Sequence, residues 1–121
     1  MLWAGQIPFI SVIFVEELGD FLDGIDFPVI VEGKSDEEAL EDFDIKNIVQ
    51  LRGRPLYKVA LSLKGHKEVL VLTDFDREGK KIAAKLNGFL EQFGVVPKNS
   101  LRRKIKNIIT KKGVSQIENI S

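Results

Sequence analysis

The stretch EVLVLTDFDREGKKIAAKL, residues 68–86, runs from an apolar segment through an acidic turn into a periodic segment. Its first part is apolar at consecutive positions, which is typical of a central strand buried on both faces of a parallel sheet. After the turn, apolar residues recur at helical spacing as far as Phe93, and Gly94 is suited to end a helix, so we predict a helix over residues 77–93. The stretch is therefore predicted to form one strand–turn–helix unit of an α/β fold.

Similar signals lie on both sides of this unit. VIVEG, after Pro28, predicts a short buried strand, and IKNIVQL predicts a second strand over residues 45–51. Further helices are predicted over residues 10–23, 35–43 (with a Ser35–Glu38 capping box), 55–63 and 99–112, and the tail GVSQIENIS predicts a short edge strand. Strands that alternate with helices predict a mostly parallel sheet flanked by helices on both faces. We expect a single domain over residues 1–121 with its core at residues 28–94.

The formal net charge of zero conceals an asymmetry along the chain. Residues 1–44 carry twelve acids and one base, whereas residues 45–121 carry six acids and seventeen bases. Because binding to nucleic acid depends on a local basic surface, the neutral total does not exclude such a partner. Mutual neutralisation of the two parts across the fold is the alternative.

Composition also excludes several classes of site. The chain has no cysteine, which removes disulfides, thiolate zinc sites and thiol catalysis. The apolar stretch LWAGQIPFISVIFV, residues 2–15, is shorter than a bilayer span and is interrupted by polar residues and a proline, so we expect no membrane partner. These features favour a cytoplasmic location.

Two groups of acidic residues lie where predicted strands end. Glu32 ends the first strand, and Asp74, Asp76 and Glu78 end or follow the third. Ligands of open α/β sheets gather at the carboxyl ends of the strands, so we expect the four carboxylates to share one edge of the sheet if those strands are neighbours. Oxygen-only ligands of this kind suit Mg²⁺. The alternative is a solvated turn in which Asp76 caps the next helix.

VIVEGKSD, residues 29–36, followed by VLTDFDREGKKIAAKL, residues 71–86, resembles the Toprim domain shared by topoisomerases, bacterial primases, certain nucleases and recombination proteins. The second stretch is similar to the Asp-x-Asp-x-Glu signature of type IA topoisomerases. By length the chain is similar to small stand-alone Toprim proteins of archaea and bacteria, and its acid set resembles that of the ribonuclease that matures ribosomal RNA.

This resemblance implies a Rossmann-like Toprim fold and a role for each acid. Glu32 is then the candidate general acid/base, Asp74 and Asp76 are the catalytic magnesium ligands, and Glu78 is a third, supporting acid. Direct binding of the ion by Glu32 is left open, as is Mn²⁺ in place of Mg²⁺.

Basic residues are concentrated near these acids and in the last predicted helix. The candidates for nucleic-acid binding are Lys34, Arg52, Arg54, Lys58, Arg77, Lys80, Arg102, Arg103, Lys104 and Lys106. Lysine and arginine side chains at such places suit contact with a phosphate backbone. Ordinary solvation, or pairing of the basic helix with the acidic N-terminal helix, is the alternative.

We therefore expect a Mg²⁺-dependent nucleic-acid-binding Toprim protein that acts on phosphodiester bonds, as a nuclease or as an RNA- or DNA-processing factor. The alternative is a non-catalytic module that binds nucleic acid or protein within a larger processing assembly. RNA or DNA is the expected partner in either case, together with other proteins of a processing complex.

Overall fold

The computed structural model describes residues 9–111, so the predicted tail strand over residues 113–121 lies outside the described residues. Within that range the predicted helices and strands are present, but the strands are shorter than expected and the helix predicted over residues 35–43 already ends at Ala39. In chain order the elements are α1 (Phe9–Leu22), β1 (Val29–Val31), α2 (Lys34–Ala39), β2 (Ile48–Gln50), α3 (Leu56–Ser62), β3 (Glu68–Val71), α4 (Arg77–Gln92), β4 (Val96–Pro97) and α5 (Asn99–Lys111).

The strands form one sheet in the order β2-β1-β3-β4. Val29 of β1 pairs with Ile48 of β2 on one side and with Leu70 of β3 on the other, and each described strand pair is parallel. β1 and β3 are therefore the two central strands. The predicted α/β class with a mostly parallel sheet is confirmed.

Helices cover both faces of this sheet. Neighbouring residues of a strand point to opposite faces, so Val31 of β1 packs in a cluster with Ile105 of α5, whereas Ile30 packs in a second cluster with Val59 of α3 and Leu86 of α4. Both clusters are buried. The prediction of helices on both faces is confirmed.

The helix α1 belongs to this core. Leu18 and Leu22 are fully buried, and α1 packs against α5. Among the helices within residues 9–111, none has both the length and the apolar character to cross a membrane.

Two local features differ from the sequence prediction. α2 begins at Lys34, and the carboxylate of Asp36 accepts a hydrogen bond of 2.8 Å from the backbone N–H of Gly33. The predicted capping box from Ser35 is therefore wrong, because the helix starts one residue earlier. The strand β4 was not predicted, since two residues are too few to show a periodic pattern.

Candidate functional site

The candidate site lies at the carboxyl ends of β1 and β3. From β1 the chain passes through α2 to β2 on one side of the sheet, and from β3 it passes through α4 to β4 on the other side. Open α/β sheets bind ligands in the crevice where successive connections diverge in this way. Glu32 directly follows β1, and Asp74 lies just beyond β3, so both residues reach this crevice.

A hydrogen bond joins these two residues. The backbone N–H of Asp74 donates to Oε2 of Glu32 over 2.8 Å. Both side chains are half-buried, and the two carboxyl groups interact with each other. The structure therefore brings together Glu32 and Asp74, which lie far apart in the sequence.

The pKa of the Glu32 carboxyl is raised above its ordinary value of 4.5, chiefly because burial removes water from the charged form. The hydrogen bond from Asp74 N–H opposes this rise in pKa, while the negative charges of Asp74 and Asp36 add to it. Glu32 therefore keeps its proton to a higher pH than an exposed glutamate does. This is the direction of shift that a general acid requires.

The other two predicted acids occupy different surroundings. Oδ1 of Asp76 accepts a hydrogen bond of 2.8 Å from the N–H of Gly79 and so caps α4, which is the role that the alternative interpretation gave to this residue. Glu78, in the first turn of α4, is exposed. In the part of the chain that the structure describes, no three His, Cys, Asp or Glu side chains are grouped to hold a metal ion. The four acids follow the neighbouring strands β1 and β3 at one edge of the sheet. Their binding of one ion as a group stays a prediction.

The turn that carries Asp74 is hydrogen-bonded to the first turn of α4 and lies in close contact with it. The hydroxyl of Thr73, which is fully buried, donates to the carbonyl oxygen of Gly79 over 2.8 Å. A Cβ atom at Gly79 would lie 2.0 Å from the carbonyl oxygen of Asp74, so this close approach excludes any side chain. The backbone of Asp74 is consequently held between β3 and α4.

Arg102 of α5 donates hydrogen bonds to backbone carbonyls on the side of β3 where β4 is too short to reach them. The carbonyl of Val69 accepts the N–H of Lys98 at the end of β4, over 2.8 Å. The next two carbonyls on that side, those of Val71 and Thr73, accept hydrogen bonds of 3.0 and 2.8 Å from Nη1 of Arg102. Nη2 donates to the carbonyl of Asp74 over 3.1 Å. The guanidinium therefore takes the place of a neighbouring strand at the end of β3.

The charge of Arg102 lies beside the acidic pair. Its guanidinium is 4.5 Å from the ring centroid of Phe75. Burial lowers the pKa of Arg102 to about 10, although the negative charges of Glu32 and Asp74 oppose this shift. The side chain stays positively charged at neutral pH. We expected Arg102 on an exposed basic face, but the structure places it half-buried against the backbone of the site.

The basic residues near β1 and β2 lie mainly at the rim of the site. The N–H of Arg52 donates to the carbonyl of Glu32 over 2.8 Å, so the loop after β2 reaches the expected edge of the sheet. Arg54 donates to the carbonyls of Gln50 and Leu51 and is tied to its own loop. The side chains of Lys34, Arg52 and Lys58 are exposed, and Lys34 lies 3.9 Å from the carboxylate of Glu38.

The other predicted basic residues divide between two surfaces. Four of them line a groove of about 270 Å³ between α4 and α5, namely Lys80, Arg102, Arg103 and Lys106. Lys104 instead lines a separate cavity of about 580 Å³ beside Phe27. Arg77, the first residue of α4, is exposed.

Three polar residues of this region were not identified from the sequence. Thr73 fastens the turn, and Asn87 donates from Nδ2 to Oδ1 of Asn99 over 3.0 Å, which connects the walls of the groove. A threonine directly before Asp74 was one available signal. A polar residue between the apolar positions of α4 was the other.

The donors present suit a divalent cation that shares its ligands with a phosphate. Mg²⁺ is usually held by one or two carboxylates together with water and phosphate oxygens, and does not need a complete protein cage. Glu32 and Asp74 supply such a pair of oxygen donors, and the N-terminus of α4 beside them favours negative charge. The residues of this crevice therefore fit Mg²⁺ without forming a full coordination shell.

Comparison with known proteins adds a family relationship. The family model of the Toprim domain matches residues 27–110. The UPF0292 protein of Pyrococcus abyssi is 39% identical over 106 residues, which cover 87% of this chain and 80% of that protein. The UPF0292 protein of Methanocaldococcus jannaschii is 34% identical over 109 residues, covering 88% and 83%. A solved structure of a protein from Aquifex aeolicus matches with a TM-score of 0.69 at 29% identity, covering 92% of this chain and 98% of that one.

Proposed function

The chain belongs to the Toprim family, and from this premise we propose that it is a Mg²⁺-dependent nucleic-acid-binding protein that acts on phosphodiester bonds. Family membership indicates a metal-binding role related to nucleic acids. Within that role we propose a nuclease or an RNA- or DNA-processing factor. The hydrogen bond between Asp74 N–H and Glu32 carries the proposal, because it joins acidic residues at the ends of the two central strands.

Each residue of the site has a defined part in this proposal. Asp74, with Glu32 beside it, would hold Mg²⁺, and the ion would supply neutralisation of charge on the phosphate. In hydrolysis, water adds to phosphorus and the phosphorus–ester oxygen bond breaks. Glu32 has one of two parts: ionised, it holds the ion together with Asp74; protonated, as its raised pKa favours, it gives its proton to the leaving oxygen and regains one from the attacking water. Arg102 holds the backbone of Asp74 and adds a fixed positive charge beside the pair.

The test is a cleavage assay with labelled RNA and DNA, in Mg²⁺ and in EDTA. We expect products only in Mg²⁺, and a loss of activity of at least a hundredfold for Asp74→Asn, about the contribution of one catalytic group. Asp42→Asn is the matched control, because Asp42 is exposed and outside the site. Cleavage by Asp74→Asn at the wild-type rate would contradict the proposal.

A second candidate function is a non-catalytic module that binds nucleic acid or a partner protein. It is favoured by the incomplete set of ligands, since residues 9–111 contain no group of three metal-binding side chains. A binding module predicts nucleic-acid affinity that persists in EDTA and falls steeply with salt. Measured binding of this kind, without cleavage of any substrate, would favour the module over the enzyme.

A further inference from the structure

The groove between α4 and α5 combines four cations from two helices. Lys80 comes from the first turns of α4, and the remaining three, Arg102, Arg103 and Lys106, come from α5. Ala83 and Ala84 of α4 also line the groove, and their short side chains leave its volume of about 270 Å³ open. No carboxylate lines it. The groove is therefore a positively charged depression with room for a few phosphate groups.

Most of this charge has no ion-pair partner among the residues that the structure describes. Across residues 9–111, ion pairs within 4.0 Å join Lys34 with Glu38 and Lys98 with Glu68, so that Lys80, Arg103 and Lys106 take part in none. Like charges gathered in one groove repel one another, and this repulsion is relieved when an anion enters. The arrangement is therefore suited to an anionic ligand.

Arg102 connects this groove to the acidic pair. The same guanidinium that lines the groove donates to the carbonyls of Thr73 and Asp74, and it interacts electrostatically with Glu32. A chain of phosphates bound in the groove would thus lie beside the carboxyl end of β3. Arginine and lysine contacts of this kind position a nucleic-acid backbone without reading its sequence.

We propose that the α4–α5 groove binds the sugar–phosphate backbone of a nucleic-acid strand and places one phosphate at the Glu32–Asp74 pair. The inference rests on the proposed function, because the groove matters for catalysis only if the Glu32–Asp74 pair acts on the nucleic acid that the groove binds. A single strand is the proposed ligand, since the groove is small and is built from side chains of only two helices. RNA and DNA share the phosphodiester chemistry that the groove recognises.

The test is fluorescence anisotropy with labelled single strands of RNA and of DNA, in EDTA, over a series of salt concentrations. The variant Arg103→Glu/Lys106→Glu reverses two groove charges. Its matched control is Lys81→Glu/Lys85→Glu, which makes the same change of net charge at exposed positions of α4 outside the groove. Circular dichroism melts of both variants establish that the fold is retained.

We expect the groove variant to bind on the order of tenfold more weakly, and the control to bind as the wild type does. Each phosphate contact with a single strand contributes about 0.7 to the slope of log Kd against log salt, so the groove variant should lose about 1.4 of that slope. Equal binding by the two variants would overturn the proposal. Competition by polyglutamate as strong as that by RNA or DNA would also overturn it, by indicating an acidic peptide as the ligand.

The binding and cleavage assays together distinguish failure of the groove proposal from failure of the proposed function. The groove variant keeps Glu32 and Asp74, so weak binding with residual Mg²⁺-dependent cleavage at high substrate concentration supports both proposals. Binding through the groove with no cleavage of any substrate leaves the groove assigned and refutes only the catalytic function. Cleavage and binding that are both unaffected by the groove variant refute only the groove.

Discussion

Replacing Arg102 with alanine removes the group that closes β3 where β4 ends. The guanidinium donates to three backbone carbonyls, those of Val71, Thr73 and Asp74, and contacts the ring of Phe75. A hydrogen bond with a charged partner contributes roughly 1.5–3 kcal/mol, and a partly exposed cation–π contact contributes about 1 kcal/mol. Because three hydrogen bonds from one guanidinium are not independent, we expect the free energy of unfolding to fall by about 3 kcal/mol instead of by the full sum. That is a large fraction of the roughly 5–15 kcal/mol that stabilises a typical domain.

Urea denaturation followed by circular dichroism measures this loss. Arg103→Ala is the matched control, because Arg103 is the next residue, is exposed, and its side chain makes no hydrogen bond or ion pair with the residues that the structure describes. Its free energy of unfolding should change by about 0.5 kcal/mol or less. Arg102→Lys should lie between the two, since lysine keeps the charge but lacks the planar fork that reaches several acceptors. A free energy of unfolding for Arg102→Ala within the error of that for Arg103→Ala would refute this account of the open side of β3.

Three further predictions concern the turn and the acidic pair. Asp76→Ala should lower the free energy of unfolding by about 1 kcal/mol through loss of the helix cap, whereas Asp76→Ser should restore most of it, as urea denaturation can measure. Gly79→Ala should destabilise the fold by about 3 kcal/mol or prevent folding, because its Cβ would lie 2.0 Å from the carbonyl oxygen of Asp74. Gly88→Ala has no atom within 4 Å of the new Cβ and should stabilise α4 by about 0.5–1 kcal/mol in the same assay. In EDTA, the stability that Glu32 contributes through its raised pKa is fully present below pH 4.5 and is lost as the pH rises through that pKa, so Glu32→Gln should flatten the fall in unfolding free energy over this range.

Each of these has an outcome that contradicts it. Equal stabilities of the alanine and serine variants at position 76 would remove the capping role of Asp76. A Gly79→Ala protein as stable as Gly88→Ala would refute the close approach of α4 to the turn. A pH profile of Glu32→Gln parallel to that of the wild type would show that Glu32 does not titrate abnormally in the folded state.

The fold was predictable where local pattern and burial agree. The strand β3 is apolar at successive positions because both of its faces are covered, and α4 shows a clear helical period because one face alone is buried. β4 could not be predicted, because a strand of two residues shows no periodic pattern and forms only through its pairing with β3. The start of α2 shifted by one residue because Asp36 bonds to the backbone of Gly33.

The site was predictable only in part, for a physical reason. The sequence shows which acids follow strands, and the adjacency of β1 and β3 then brings Glu32 to Asp74. It does not show whether a carboxylate binds an outside ligand or a helix N-terminus, and Asp76 does the latter in this structure. It also does not show that Arg102, in a run of basic residues, turns inward while Arg103 stays exposed. That difference depends on the short length of β4, which leaves carbonyls of β3 in need of donors.

The most direct test of the central claim is the binding of Mn²⁺, as a paramagnetic substitute for Mg²⁺, measured by electron paramagnetic resonance. If Glu32 and Asp74 hold the ion together, the wild type should bind a single ion per chain, and either Glu32→Gln or Asp74→Asn should abolish that binding. Glu91→Gln, an exposed change on α4, should leave it intact. Binding of Mn²⁺ by both site variants with wild-type affinity would contradict the claim that these two strand ends form the metal site.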